Sequence, residues 1–168
     1  MKKFWKTTLA VAVSAFMAAS LAACGGGSSN SSSAPANTES EAPSGAIKIG
    51  GSGPLTGPAA VYGNAVKTAA EMAVEEINAK GGLQFALNTQ DDEHDTEKAA
   101  NAYNALKDWG MQIMAGPVTT APSNVVAAEC AADEIFMLTP SASGVAVIEN
   151  GNNIFQICFT DPNQGVAS

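Results

Sequence analysis

Five short runs of strand character, separated by stretches of helical period, constrain this chain more than any other feature. The runs are 46–51, 84–90, 111–115, 135–138 and 154–159. The stretch 84–90 alternates Phe85, Leu87 and Thr89 against polar partners, as a half-buried strand does. The others are short and apolar and end in small or turn-forming residues. Between the first two runs, Tyr62-Gly63-Asn64 leads into a helix that reaches about Lys80. Ala65, Ala69, Met72, Ala73 and Ile77 recur there at helical spacing and are expected to face inward, with Lys67, Glu71 and Glu75 on the other side. Gly81-Gly82 should end it in a left-handed cap. A second helix, capped by Asp95 or Thr96, runs to about Asp108 with Ala99, Tyr103 and Leu106 inward, and Trp109-Gly110 closes it. A third covers 122–132, a turn or short helix covers 145–150, and 160–165 ends the last strand. The order β-α-β-α-β-α-β-x-β predicts an α/β fold: a parallel sheet, right-handed crossovers and helices on both faces.

In such a sheet, ligands bind outside the carboxyl ends of the strands. Two consecutive strands here end in hydroxyls and small residues. The third opens into Val118-Thr119-Thr120-Ala121-Pro122-Ser123 and the fourth into Thr139-Pro140-Ser141-Ala142-Ser143. Small residues let a ligand approach the backbone, and hydroxyls with helix N-terminal N–H groups donate to an anion. With the loop 52–62 after the first strand, these segments define a small-molecule cleft whose candidate ligand is an amino acid. The chain contains no arginine. A carboxylate would therefore be held by hydroxyls, backbone N–H groups and helix N-termini. Tyr62 is an aromatic that could wall the cleft or pack in the core.

The first 45 residues read differently. Lys2, Lys3 and Lys6 form a basic start, 9–19 is an apolar stretch too short to span a bilayer, and Leu21-Ala22-Ala23-Cys24 resembles a lipobox. The segment 1–24 is thus expected to be a lipoprotein signal peptide, with Cys24 the site of lipid attachment and a membrane anchor. Residues 25–45 hold no large apolar side chain and are expected to be a flexible linker. Without the signal, five lysines face sixteen acids, a net charge of −11. That balance offers no basic patch for phosphate and argues against nucleic acid as a partner.

Catalytic and cofactor motifs are weak. Gly50-Gly51-Ser52-Gly53 lacks both the P-loop ending and the dinucleotide fingerprint. The acidic run Asp91-Asp92-Glu93-His94-Asp95 lacks the glycine and terminal glutamate of a calcium loop and reads as a solvated loop with a helix cap. There is no nucleophile elbow, and the one histidine, His94, sits in that acidic loop. No cofactor, metal or enzymatic activity is expected. Cys130 and Cys158 could form a bridge or remain free thiols, with no zinc spacing between them.

Several stretches, taken together, resemble the type I periplasmic binding proteins of branched-chain amino acid ABC transporters. They are Ile47-Lys48-Ile49-Gly50, Gly53-Pro54-Leu55-Thr56-Gly57 with Tyr62-Gly63, Ile77-Asn78-Ala79-Lys80-Gly81-Gly82, Asp91-Asp92 with Asp95, Thr139-Pro140-Ser141, and 159–165. The resemblance implies two Rossmann-like lobes that close on a ligand, with 46–168 forming the first lobe and the second absent. It implies an extracytoplasmic, membrane-tethered protein that delivers an amino acid to a permease. A sensory domain of the same fold, binding amides or amino acids, is the alternative. Within the site, the resemblance places Thr120 where a hydroxyl holds the ligand carboxylate, flanked by Thr119 and Ala121. It places Ser141 and Ser143 where a backbone carbonyl and a hydroxyl hold the ammonium and carboxylate, and Tyr62 where an aromatic lines the side-chain pocket. Asp161 lies near the cleft at the first crossover.

The sequence departs from the family in three places. Members run to roughly twice this length, so the chain is expected to be a fragment or truncated gene product, lacking the second lobe's acidic partner for the ammonium. The Gly82-Leu83-Gln84 junction is shortened, and Gln156 stands where a basic residue is common. A half-cleft should bind weakly or not at all, because it cannot exclude water by closing.

Overall fold

A computed structural model describes residues 43–168. The segment expected as a signal peptide (1–24), with Cys24, and all but the last three residues of the expected linker (25–45) lie outside the described residues. Five strands, β1 (Ile47–Gly53), β2 (Phe85–Asp91), β3 (Ile113–Ala115), β4 (Phe136–Thr139) and β5 (Ile154–Gln156), form one parallel sheet in the order β2-β1-β3-β4-β5. They alternate with α1 (Ala60–Ala79), α2 (Thr96–Trp109) and α3 (Thr120–Ala132). A 3-10 turn (Val145–Val147) precedes β5, and α4 (Asp161–Ala167) follows it. The α/β expectation is met. The strand order adds what the sequence could not: the chain leaves β1 to one side and returns on the other. The crevice of such a fold therefore lies between the carboxyl ends of β1 and β3.

Boundaries moved in a few places. Ser52 and Gly53, expected in a loop, continue β1 and are buried, because they pair with Gln90 and Asp91 of β2. Strand β5 stops at Gln156, and 161–167, expected only as a strand end, forms α4. Helix α3 begins two residues early, at Thr120, so Pro122 falls in its first turn, where a missing N–H costs nothing.

The two faces of the sheet differ. Position 50 of β1 points at Met111 and Leu106, whereas position 53 points at Gly63 of α1. Helices α2 and α3 thus cover one face and α1 the other. Between α2, α3 and the sheet lies the core: Ala99, Tyr103, Leu106, Met111, Met114, Val126, Ala127, Cys130, Met137, Val147 and Ile154. Each large side chain buried there contributes about 1.5–3 kcal/mol. Helix α2 fits its expectation throughout. Asp95 caps it by accepting the Lys98 N–H (2.9 Å), Gly110 ends it in the left-handed region (φ 90°), and Ala99, Tyr103 and Leu106 are fully buried.

Helix α1 is a correction. Ala65, Ala69, Met72, Ala73 and Ile77, expected inward, are all exposed, and Ala60, Val66, Lys67, Ala70, Val74 and Asn78 are the half-buried positions. Two contacts set this rotation. Gly63 lies against the Pro54 backbone, where a Cβ would come within 2.0 Å of the carbonyl oxygen. Asn78 clamps the other end to β2, donating to Phe85 O (2.8 Å) and accepting Phe85 N–H (2.9 Å). The apolar stripe of α1 is wider than the face these anchors turn to the sheet, so periodicity alone chose the wrong part of it. On the same side of the sheet, Phe136 and Phe155 stack at 5.2 Å between ring centroids and stay 42% and 47% exposed.

Candidate functional site

The loops that follow β1, β3, β4 and β5 emerge at the carboxyl edge of the sheet, as parallel pairing requires. The β1 loop is fastened to the end of β2. Asp91 accepts the Leu55 N–H at 2.8 Å and the Thr56 hydroxyl at 2.6 Å, and Asn64 donates to Leu55 O at 3.0 Å. Tyr62, on the first turn of α1, is 63% exposed. It is therefore not a core residue and presents its ring to solvent beside this loop.

The β3 and β4 loops are welded to each other by a buried hydroxyl network. The Pro117 carbonyl accepts from Ser123 Oγ (2.9 Å) and from Thr139 Oγ1 (2.7 Å), and Thr139 Oγ1 in turn accepts the Ala142 N–H (3.2 Å). Ser123 and Thr139 are completely buried. Ser141 Oγ donates to Val118 O at 2.6 Å. That hydroxyl is committed to the scaffold. Gly144 approaches Thr120 so closely that a Cβ would sit 2.5 Å from Thr120 Cγ2. The backbone N–H of Asp161 donates to Ser143 O (3.0 Å), which joins the start of α4 to the same cluster.

Thr119, Thr120, Ser141, Ser143 and Asp161 are thus brought together, with Ala121 exposed at the second residue of α3. The contacts do not tie Tyr62 to them; it stands on the first turn of α1, beside the β1 loop. A concavity of about 470 Å³ beside β5, lined by Ile148, Ile154, Phe155, Cys158, Phe159 and Asn163 among others, contains none of these residues. The candidate site is an open half-surface, not an enclosed pocket.

Sequence reasoning counted Ser123 and Thr139 among the hydroxyls of the cleft loops and missed that both brace those loops through the Pro117 carbonyl. His94 was assigned to a solvated loop, but its Nδ1 hydrogen-bonds Thr119 Oγ1 at 2.8 Å. The loop that carries it is built from carboxylates. Burial raises the Asp91 carboxyl, but hydrogen bonds from the Thr56 hydroxyl and from the Leu55 and Glu93 N–H groups more than offset this, and its pKa falls below the ordinary value. Asp92 is fully buried, and desolvation raises it despite the His94 N–H and the neighbouring Ser52 hydroxyl. Asp92 Oδ2 and Ser52 Oγ do not reach hydrogen-bond geometry with any described residue. Among the described residues no group of three His, Cys, Asp or Glu side chains could hold a metal ion. Cys130 and Cys158 are free thiols, the first buried and the second half-buried with its Sγ 3.3 Å from Ala142 O.

An open parallel α/β lobe with small and hydroxyl-bearing loops at its switch point is the architecture of a ligand-binding lobe. The comparisons make this specific. The sequence profile of the family described as periplasmic binding protein matches residues 46–167, and the chain belongs to that family. It is 35% identical over 122 residues to the Leu/Ile/Val-binding protein BraC3 of Rhizobium johnstonii, an alignment covering 70% of this chain and 33% of that one. The branched-chain amino acid transporter substrate-binding protein LivJ of Streptococcus pneumoniae, solved in complex with isoleucine, superposes with a TM-score of 0.65 at 28% identity, covering 69% of this chain and 34% of LivJ. The leucine-binding protein LivK of Thermotoga maritima gives a TM-score of 0.66 at 27% identity, over 72% of this chain and 35% of LivK. The chain spans about one third of the length of the relatives it matches. These relatives are named as binding proteins.

Proposed function

We propose that this chain is the first-lobe portion of an extracytoplasmic substrate-binding protein that captures an amino acid, of the branched-chain class, and passes it to an ABC transporter permease. One observation carries the reading. The loops after β3 and β4 bring the Thr120 side chain against Gly144, next to Ser143, at the carboxyl edge of the sheet. Relatives named for leucine, isoleucine and valine binding support the ligand class. In this reading the Thr120 hydroxyl and the first N–H groups of α3 receive the ligand carboxylate, the Ser143 hydroxyl assists, and the Ser141 carbonyl accepts from the ammonium. Thr119 and Ala121 frame the carboxylate, Tyr62 walls the side chain, and Asp161 borders the crossover. No arginine is needed, because a helix N-terminus supplies both donors and favourable dipole. Residues 1–24 serve as a signal peptide, Cys24 carries the lipid, 25–45 is the tether, and 46–168 is the lobe.

The test is a titration of the ¹⁵N-labelled chain with L-leucine, L-isoleucine and L-valine, followed by amide shifts. With one face of the cleft, binding in the millimolar range is expected, roughly −4 kcal/mol. Shifts should centre on Thr120, Ala121 and Ser143 and vanish in Thr120→Val. Shifts confined to the β5 concavity, or shifts that persist unchanged in Thr120→Val, would refute the site.

A further inference from the structure

Thr119 is the N-cap residue of α3, with the extended backbone (φ −114°, ψ 154°) from which a threonine hydroxyl ordinarily bonds the N–H of the second or third helical residue. It makes no such bond. The third residue is Pro122, which has no N–H, so a cap could go only to Ala121. The hydroxyl is instead engaged by His94 Nδ1 at 2.8 Å. Among the described residues neither the Thr120 nor the Ala121 N–H has a protein acceptor.

His94 is held for this contact by its own loop. Glu93 and His94 both occupy the left-handed region (φ 49° and 62°), which is uncommon outside glycine. Asp91 Oδ1 accepts the Glu93 N–H (2.9 Å), Asp92 Oδ1 accepts the His94 N–H (2.9 Å), and the Asp95 N–H donates to Asp92 O (2.8 Å). Lys98 adds an ion pair to Glu93 at 2.6 Å. A backbone held in that conformation by so many bonds is over-determined, as at sites where strain has a purpose.

We infer that His94 is a positioning residue: it draws the Thr119 hydroxyl away from α3 and so keeps the Ala121 N–H open for a ligand carboxylate. The inference rests on the proposed ligand site, but the device can be tested without a ligand. Without His94, the hydroxyl turns to the Ala121 N–H and occupies the donor the carboxylate needs.

The experiment is amide hydrogen exchange at Ala121, with the Thr119 χ1 couplings, in the chain and three variants. In His94→Gly, which suits the left-handed backbone, Ala121 exchange should slow roughly fivefold, the population ratio that a typical cap sets, and χ1 should change. In His94→Asn, also at ease in that region, the side-chain amide can replace Nδ1, and exchange should stay at the wild-type rate. In Thr119→Val, which has no hydroxyl to cap with, Ala121 should stay unprotected. A merely structural role gives the opposite sign, since a loosened loop would speed exchange in His94→Gly. Exchange that is unchanged or faster in His94→Gly overturns the inference. The leucine titration separately decides the ligand reading, so the two can fail independently.

Discussion

The Pro117 carbonyl offers a test of how the two site loops are joined. Thr139→Val keeps the side-chain shape and removes the hydroxyl. The Ala142 N–H, in a residue 1% exposed, then loses its acceptor, while Pro117 O still receives Ser123 Oγ. One buried donor left without a partner costs about 1–3 kcal/mol. Ser123→Ala removes only a donor to a carbonyl that Thr139 still satisfies, and should cost about 0.5–1.5 kcal/mol. The double variant strips both partners from a buried carbonyl, and that orphan adds roughly 1–3 kcal/mol beyond the sum of the single changes. Urea denaturation of the four proteins, with unchanged m values, would give the cycle directly. Additivity within about 0.5 kcal/mol would refute the reasoning, because it would mean that each hydroxyl serves Pro117 O independently or not at all.

Three further outcomes are expected. Asp92 has a raised pKa in the fold, so the native state holds its proton more tightly than the unfolded chain, and stability falls as pH rises from the ordinary carboxylate range through the raised value. Asp92→Asn, which keeps the acceptor for the His94 N–H, should be more stable than wild type at pH 7 and converge with it below about pH 4. An equal or lower Tm at pH 7 contradicts this. Gly63→Ala sets a Cβ 2.0 Å from a backbone oxygen that cannot swing aside, and should cost about 4 kcal/mol or more. Wild-type stability in urea would show that α1 can rotate away. The Cys130 thiol, pushed up to about 12 by burial, should resist iodoacetamide at pH 8 in the native chain while half-buried Cys158 is modified first, as peptide mass mapping would show.

The sequence by itself determined the alternation of strands and helices, because those signals are local. Period, caps and glycine stops marked α2 from Asp95 to Gly110 almost to the residue. It also marked Thr119, Thr120, Ser141 and Ser143, since parallel strands must all place their following loops at one edge. Only the tertiary structure decided the strand order that puts the crevice between β1 and β3, because pairing depends on contacts far apart in the chain. It also decided which part of the apolar stripe on α1 faces the sheet. That rotation is set by Pro54 against Gly63 and by Asn78 against Phe85, not by hydrophobic spacing. It separated the hydroxyls that brace the loops, Ser123, Thr139 and Ser141, from those that make no side-chain hydrogen bond among the described residues, Thr120 and Ser143. Residue type cannot make that distinction, because a hydroxyl's role depends on whether a buried carbonyl lies within its reach. The link from His94 to Thr119 is of the same kind: two polar residues 25 positions apart, joined by no local signal, that the fold sets 2.8 Å from one another.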